Sequence, residues 1–322
     1  MRVYADTQAL PAAARGACVA LGNFDGLHAG HRAVIDRAGQ AARAAGASLG
    51  VATFDPAPRR FFQPDAPPFR LMTPCQRDLA LAGMGVDLVY LLAFNAEMAG
   101  MSDREFASRV LRDQLGARSV CVGFDFRFGK NRVGDAEGLV RLGRELGFET
   151  LVMEEVAQSG AKVSSTGVRE LIQRGDMAGA RAALSGYWTV DGVVEHGEKR
   201  GRTLGFPTAN IQLGDIVHPA HGVYAVWARV EGETLWRPGV ASFGRTPTTG
   251  LRDALLETVI FDFDGDLYGR RLHTAFAHFI RPEIRFDSLD ALVARMQQDA
   301  AEARDHLARL AAPAIAMETQ PR

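Results

Sequence analysis

The sequence predicts an open α/β sheet followed by a small antiparallel β unit closed by one helix. Three observations carry this. Up to about residue 185 short apolar runs alternate with helical patterns, which implies parallel strands joined by crossover helices. Beyond it β-branched and aromatic runs follow one another between glycine-rich turns, the pattern of an antiparallel barrel or sandwich. The chain has 322 residues where domains usually span about 100–200, so two domains are expected, 1–185 and 186–322.

In chain order, ACVALG (17–22) reads as a strand. RAVIDRAGQAARAAG then sets Val34, Ile35, Ala38, Ala41, Ala42 and Ala45 on one helical face. SLGVATF (48–54) and DLVYLLAF (87–94) are strands, and MSDREFASRVLRDQLG is a helix with Ser102 and Glu105 at capping-box spacing. RSVCVGF, AEGLVRLGRELG and ETLVMEEV continue as strand, helix, strand. After the short helical piece VRELIQRGDMAGARAALSG come five β runs: YWTVDGVVEHG, GVYAVWARVEG, WRPGVASFG, LLETVIFDFDG and RLHTAFAHFI. The closing helix starts at Ser288 as its cap, with apolar positions 289, 292, 293 and 296.

Composition narrows the function classes. A net charge of −1 removes any whole-chain argument for nucleic acid or an anionic membrane as partner. No run of about 18 apolar residues is present, and the first residues lack a secretory pattern, so a cytoplasmic protein is expected. Cys18, Cys75 and Cys121 have no metal-type spacing; Cys18 and Cys121 lie in apolar runs and read as buried thiols.

GNFDGLHAGH (22–31) sits at the carboxyl end of a predicted strand, where open α/β sheets bind ligands. His28 and His31 share a face if a helix starts near them, and a helix N-terminus favours an anion. Gly22 and Gly26 allow close backbone approach. Two imidazoles placed there could stabilise a phosphoryl group as charge develops; the bland alternative is a decorated helix start. VSSTGVRE offers Ser164, Ser165 and Thr166 as caps with Arg169 one turn in, a second phosphate site or again merely a helix start. GFDFRFGKN imitates a phosphate loop but has five residues between its glycines instead of four, and Asn131 where Ser or Thr belongs.

In the second half, GRTLGFPTANI (201–211) combines Gly201 and Gly205 with Thr208 and Asn210, oxygen donors that suit Mg²⁺. Read without context, a decorated turn is the commoner reading of such a stretch. Glu257 interrupts an apolar strand; facing a cleft it would serve as a base, facing solvent it is the polar half of an alternating strand. DFDGDLYG has calcium-like aspartate spacing, but its glycine falls fourth, and a hairpin turn is expected.

In order, GNFDGLHAGH, FDPAPRRFF, VGFDFRFGK and SSTGVR resemble the adenylyltransferase half of bacterial bifunctional riboflavin kinase/FAD synthetases. GRTLGFPTANI, GVYAVW, GVASFGRTPTT, LETVIFDFDGDLYG and FIRPEIRFDSLDAL resemble their riboflavin kinase module. The resemblance implies a Rossmann-like nucleotidylyltransferase domain and a small β-barrel. It also implies two reactions: riboflavin and ATP to FMN, then FMN and ATP to FAD and pyrophosphate, both with Mg²⁺ accompanying ATP.

By the same resemblance His28 and His31 stabilise the triphosphate, and Gly22, Asn23, Phe24, Ser164, Ser165, Thr166 and Arg169 hold ATP. Phe62, Asp125 and Phe128 fall at flavin-contacting positions. In the kinase, Gly205, Thr208 and Asn210 hold Mg-ATP, and Glu257 is the base. Ala57, Asp125 and Gly167 depart from the residues common in the family at those positions. Two rival readings remain: a nucleotidylyltransferase for another phosphorylated metabolite, and a flavin- or nucleotide-binding regulator with retired sites.

Overall fold

A computed structural model describes residues 1–155, 157–158, 161–196, 207–244 and 255–314. Packing divides the chain into two compact units. The first is Met1–Ala66 with Pro74–Ser164; the second is Pro67–Thr73 with Ser165–Ile315.

The first unit contains a six-stranded parallel sheet of β1 (Arg2–Tyr4), β2 (Cys18–Leu21), β3 (Leu49–Asp55), β4 (Leu88–Ala93), β5 (Ser119–Gly123) and β6 (Glu149–Met153), in the order β1-β4-β3-β2-β5-β6. Strand β1 was not expected; at three residues it is too short to show periodicity. The central strands are buried on both faces, as a parallel sheet requires. β2, for instance, is buried at all four positions.

Helix α1 (Ala29–Ala45) buries Val34, Ile35, Ala38 and Ala42 of the expected stripe and ends on Gly46 in the left-handed region. Ala41 and Ala45 sit at its half-buried margin. The Ser102–Glu105 capping box forms: Ser102 N–H donates to Glu105 (2.8 Å) and Glu105 N–H to Ser102 Oγ (3.2 Å). The Ser102 N–H, and then the Ser102 hydroxyl, donate to the Glu105 carboxylate and hold it below its ordinary range. The helix it starts runs only from Asp103 to Glu105 before passing into a π-helical stretch, Phe106–Gln114. Cys18 and Cys121 are buried, and burial pushes the Cys121 thiol up to about 12, an inert group.

The second unit begins with two helices, α2 (Ser165–Gln173) and α3 (Met177–Leu184); the expected boundary at 185/186 falls just after α3. Its sheet is antiparallel: β7 (Trp188–Val193), β8 (Ala209–Gln212), β9 (Gly222–Val230), β10 (Arg237–Gly244), β11 (Leu255–Ile260) and β12 (Arg271–Pro282), ordered β7-β12-β9-β10-β11-β8. A bridge between Glu195 and Asn210 links the two edges, so the sheet closes on itself as a barrel. Closure removes the exposed edges an open sheet would present.

The barrel interior holds Ile211, Tyr224, Val226, Phe243, Leu256 and Phe276, and Pro67–Thr73 is drawn into this unit. Its Leu71 carbonyl accepts from Trp188 Nε1 (2.9 Å), and Phe69 and Arg70 N–H groups donate to the Asp215 carbonyl.

Two expectations are corrected here. DFDGDLYG is not a hairpin, because β11 and β12 are not neighbours: β12 returns to lie beside β9 in a Greek-key arrangement. The closing helix, α4 (Leu289–Leu307), starts at Ser288 as expected, with Ser288 Oγ accepting from Ala291 N–H (3.1 Å). Its buried positions, however, are Asp299, Ala303 and Leu307, while Leu289 is exposed. The C-terminal half docks on Val223, Ala225, Val240 and Val259, while Leu292, Val293 and Met296 of the expected stripe are only half-buried.

Asp299, 3% exposed, receives both Arg281 (Nη2–Oδ2 2.7 Å) and Arg295 (Nε–Oδ1 2.8 Å). Asp299→Ala leaves the Arg281 guanidinium buried without its counter-charge, at a cost of about 3 kcal/mol or more. The expected result is a fall of about 6–12 °C in Tm by calorimetry.

Candidate active sites

The sheet of the first unit changes winding direction at β2. The chain moves from β2 to β3 on one side and later returns to place β5 on the other. The carboxyl ends of β2 and β5 therefore flank the switch point where such sheets bind ligands. GNFDGLHAGH leaves β2 there, and VGFDFRFGK leaves β5.

The loop after β2 is tightly wound. Phe24, Gly26 and Leu27 all have positive φ (46°, 87° and 44°), and the Phe24 and Leu27 side chains are fully buried. Two non-glycine residues in the left-handed region within four positions are held only by surrounding structure. Here the anchors are the buried rings, the Gly22 N–H to Ala52 carbonyl bond (3.1 Å) and the Thr53 hydroxyl donating to the Asn23 carbonyl (3.2 Å).

The result is that His28 is the N-cap of α1 and His31 lies in its first turn. Their rings stack with centroids 3.8 Å apart at 20°, and Phe24 meets His31 edge-on at 5.3 Å. His28 is 7% exposed. The two imidazoles thus stand together at the N-terminal turn of a 17-residue helix. Asn23 is exposed on the same loop, and Gly22 is half-buried and tightly fitted: a Cβ there would lie 3.3 Å from the Phe24 ring.

Sequence reasoning missed Gly30. A Cβ at this position would lie 3.2 Å from His28 Cε1 and 3.3 Å from Nδ1. The glycine between the histidines thus leaves space for the first imidazole, a requirement that spacing alone did not reveal. Gly30→Ala is expected to shift that ring by a few tenths of an ångström and to lower any reaction dependent on it about tenfold. That is less than the roughly 10²-fold that a 1 Å misplacement costs. Steady-state kinetics check it, with any activity of the second unit as the unaffected control.

A chain of phenylalanines borders the same end of the sheet. Phe62, Phe61 and Phe94 meet edge-on at 5.2–5.7 Å, and Phe94 continues to Phe54, Phe106, Phe128 and Phe126. Its two expected flavin contacts differ in setting. Phe62 is 64% exposed, whereas Phe128 is 6% exposed and part of the core. Asp125 is exposed in the loop after β5.

The serine-rich segment divides between units. Ser164 ends the first, while Ser165, Thr166 and Arg169 belong to α2 in the second. Arg169 donates through Nε to the Phe69 carbonyl (2.6 Å), and its guanidinium lies 5.6 Å from the Phe69 ring centre.

The barrel's cluster is defined by register. Asn210 on β8 lies directly opposite Glu257 on β11, and Glu257 lies opposite Ser242 on β10. Directly opposed residues have Cβ atoms about 4.5–5.5 Å apart and share a face. Their neighbours Ile211, Leu256 and Phe243 fill the interior, so this row occupies the outer face, on which α4 packs farther along. Asn210 is 5% exposed, Glu257 and Ser242 are half-buried, and Thr208 stands half-buried just before β8. Ser242 was not anticipated, because only register identifies it. Gly201 and Gly205 lie outside the described residues.

Comparison with known proteins adds the decisive observation. Residues 10–167 match the FAD synthetase family and residues 184–307 the riboflavin kinase family. A bifunctional riboflavin kinase/FMN adenylyltransferase from Pseudomonas fluorescens is 42% identical over 93% of this chain and 94% of its own length. The protein of that name from Escherichia coli K12 is 38% identical over 90% and 92%. The chain belongs to the bifunctional riboflavin kinase/FMN adenylyltransferase family.

Within that family's two matched segments, His28 and His31 fall in the FAD synthetase part and the Asn210–Glu257–Ser242 row in the riboflavin kinase part. A crystal structure described as a macrolide-efflux protein from Streptococcus pneumoniae is also similar, at 31% identity and a TM-score of 0.84 over 94% of this chain and 98% of that one. Among the described residues here, no helix is long and apolar enough to cross a membrane.

Proposed function

We propose that the chain makes FAD in two steps: it phosphorylates riboflavin with ATP on the barrel, then adenylylates the resulting FMN with a second ATP on the parallel-sheet unit. One observation carries the reading. Both family segments occur in one polypeptide, and the product of the kinase is the acceptor of the adenylyltransferase. The two catalytic segments are assigned to 1–185 and 186–322.

In the adenylyl transfer, a phosphate oxygen of FMN attacks the α-phosphorus of ATP, and the bond to the β-phosphate breaks to release pyrophosphate. The attacking phosphate is already anionic, so no base is needed. What the step requires is positive potential where charge builds on the triphosphate. His28 and His31, stacked at the start of α1 with the helix amides beside them, supply it. Gly22, Asn23 and Phe24 form the loop against the nucleotide. Ser164, Ser165, Thr166 and Arg169 are assigned to the ATP phosphates. Phe62 offers an open face to the isoalloxazine ring; Phe128 backs the aromatic chain, and Asp125 completes the flavin contacts.

In the kinase step, the ribityl 5′-hydroxyl attacks the γ-phosphorus, ADP leaves, and the hydroxyl proton passes to the Glu257 carboxylate. Asn210 on one flank and Ser242 on the other orient that carboxylate. Thr208 and Asn210 are hard oxygen donors of the kind Mg²⁺ accepts, and Gly205 lies in the same segment. When bound, Mg²⁺ neutralises phosphate charge as the γ-phosphoryl group transfers.

The test is incubation of the purified chain with riboflavin, Mg²⁺ and ATP, followed by separation of flavins over time. FMN is expected first and FAD after it. FMN alone would support a nucleotidylyltransferase of different specificity, and flavin binding with no ATP turnover would support a regulator.

A further inference from the structure

His278 on β12 and Glu302 and His306 on α4 have no part in either reaction described above. Their ligand atoms nevertheless all lie within 4.8 Å of one another, the only such grouping of three among the described residues. The geometry follows from the fold. Glu302 and His306 are four apart on one helix and so share a face. That face meets β12, because α4 docks through Ala303 and Leu307 on the outer surface of the barrel. The His278 and His306 rings stack with centroids 3.7 Å apart at 19°.

We propose that His278, Glu302 and His306 form a binding site for a divalent transition-metal ion of the zinc class, fastening α4 to the barrel.

Two imidazoles and one carboxylate form a donor set suited to Zn²⁺ and its neighbours, and unsuited to Mg²⁺, which prefers oxygen alone. Tetrahedral coordination at bond lengths of about 2.0–2.2 Å places ligand atoms about 3.4 Å apart, so the trio closes by side-chain rotation. All three residues are half-buried, which leaves a fourth position to water. Arg295 lies 3.9 Å from Glu302 and is already drawn to Asp299, so it does not take over the carboxylate.

The site adds a third ligand class to a chain whose other two are flavin and nucleotide. It would join the last helix to the strand that also carries Arg281, the partner of Asp299.

The experiment uses the full chain, stripped with chelator and titrated with Co²⁺ alone. One equivalent should produce the visible absorption bands of four-coordinate cobalt, and Zn²⁺ should bleach them. Zn²⁺ should also raise Tm, reversibly with chelator. His306→Ala and, separately, Glu302→Gln should weaken binding at least about tenfold while leaving the melting point in chelator unchanged. The double variant His28→Ala, His31→Ala should bind as the parent does. Absence of the bands, or binding that survives His306→Ala and Glu302→Gln, overturns the proposal. So does binding lost from the double variant, which would place the metal on the other histidine pair.

Discussion

Replacing His28 and His31 together with alanine should abolish conversion of FMN to FAD and leave riboflavin phosphorylation within twofold of the parent. The expected loss is about 10²–10³-fold or more, since removing a single preorganised donor to a developing anion costs about that much. The reasoning is geometric. The two rings stack 3.8 Å apart at the start of α1, where helix amides already favour an anion. A Gly-rich loop with two buried left-handed residues exists to hold them there. Loss of the imidazoles removes the positive potential without touching the barrel. Assay with FMN as substrate isolates this step from the kinase. A double variant that still forms FAD at the parental rate would remove the histidines from the site.

Glu257→Gln should have the opposite effect. It should fail to phosphorylate riboflavin, with kcat reduced by about 10²–10⁴-fold, the usual contribution of a general base. It should adenylylate supplied FMN normally. Glutamine keeps the size of the side chain and its place opposite Asn210 and Ser242, so the strand pairing persists. Only proton acceptance is lost. A fall in kcat with little change in KM for riboflavin separates this from a binding defect. A variant that remains fully active on riboflavin would reduce Glu257 to the polar half of an alternating strand.

The elements most legible in the sequence were those with long, regular periodicity. α1 and the parallel strands β2 to β6 follow their apolar patterns closely, and the Ser102–Glu105 cap formed as its spacing predicts. What pattern could not show was partnership across the sheet. The PTAN stretch reads as a turn because of its proline and glycines, yet Ala209–Gln212 is a strand, and it is this strand that sets Asn210 against Glu257. Ser242 enters the same row only through register. The hairpin expected at DFDGDLYG failed for the same reason: local turn residues do not say which strands pair.

The last helix misled because its fully buried positions lie in its C-terminal half, whereas Leu289 of the expected stripe is exposed and Leu292, Val293 and Met296 are only half-buried. Its anchorage instead uses a charged residue, Asp299, that a hydrophobic pattern assigns to solvent. Within the first site, the two histidines and Gly22 were visible in the sequence. Gly30 was not, because its value lies in space kept for a neighbour's ring.

The central claim is that one chain transfers the γ-phosphoryl group of ATP at one place and the adenylyl group at another. Its most direct test supplies riboflavin with ATP labelled in parallel at the α- or the γ-phosphate, and follows the label into each flavin. The account predicts γ-label in FMN, carried on into FAD, and α-label in FAD alone, with one ADP and one pyrophosphate released per FAD. Absence of α-label from every flavin, or α-label retained covalently on the protein, would contradict it.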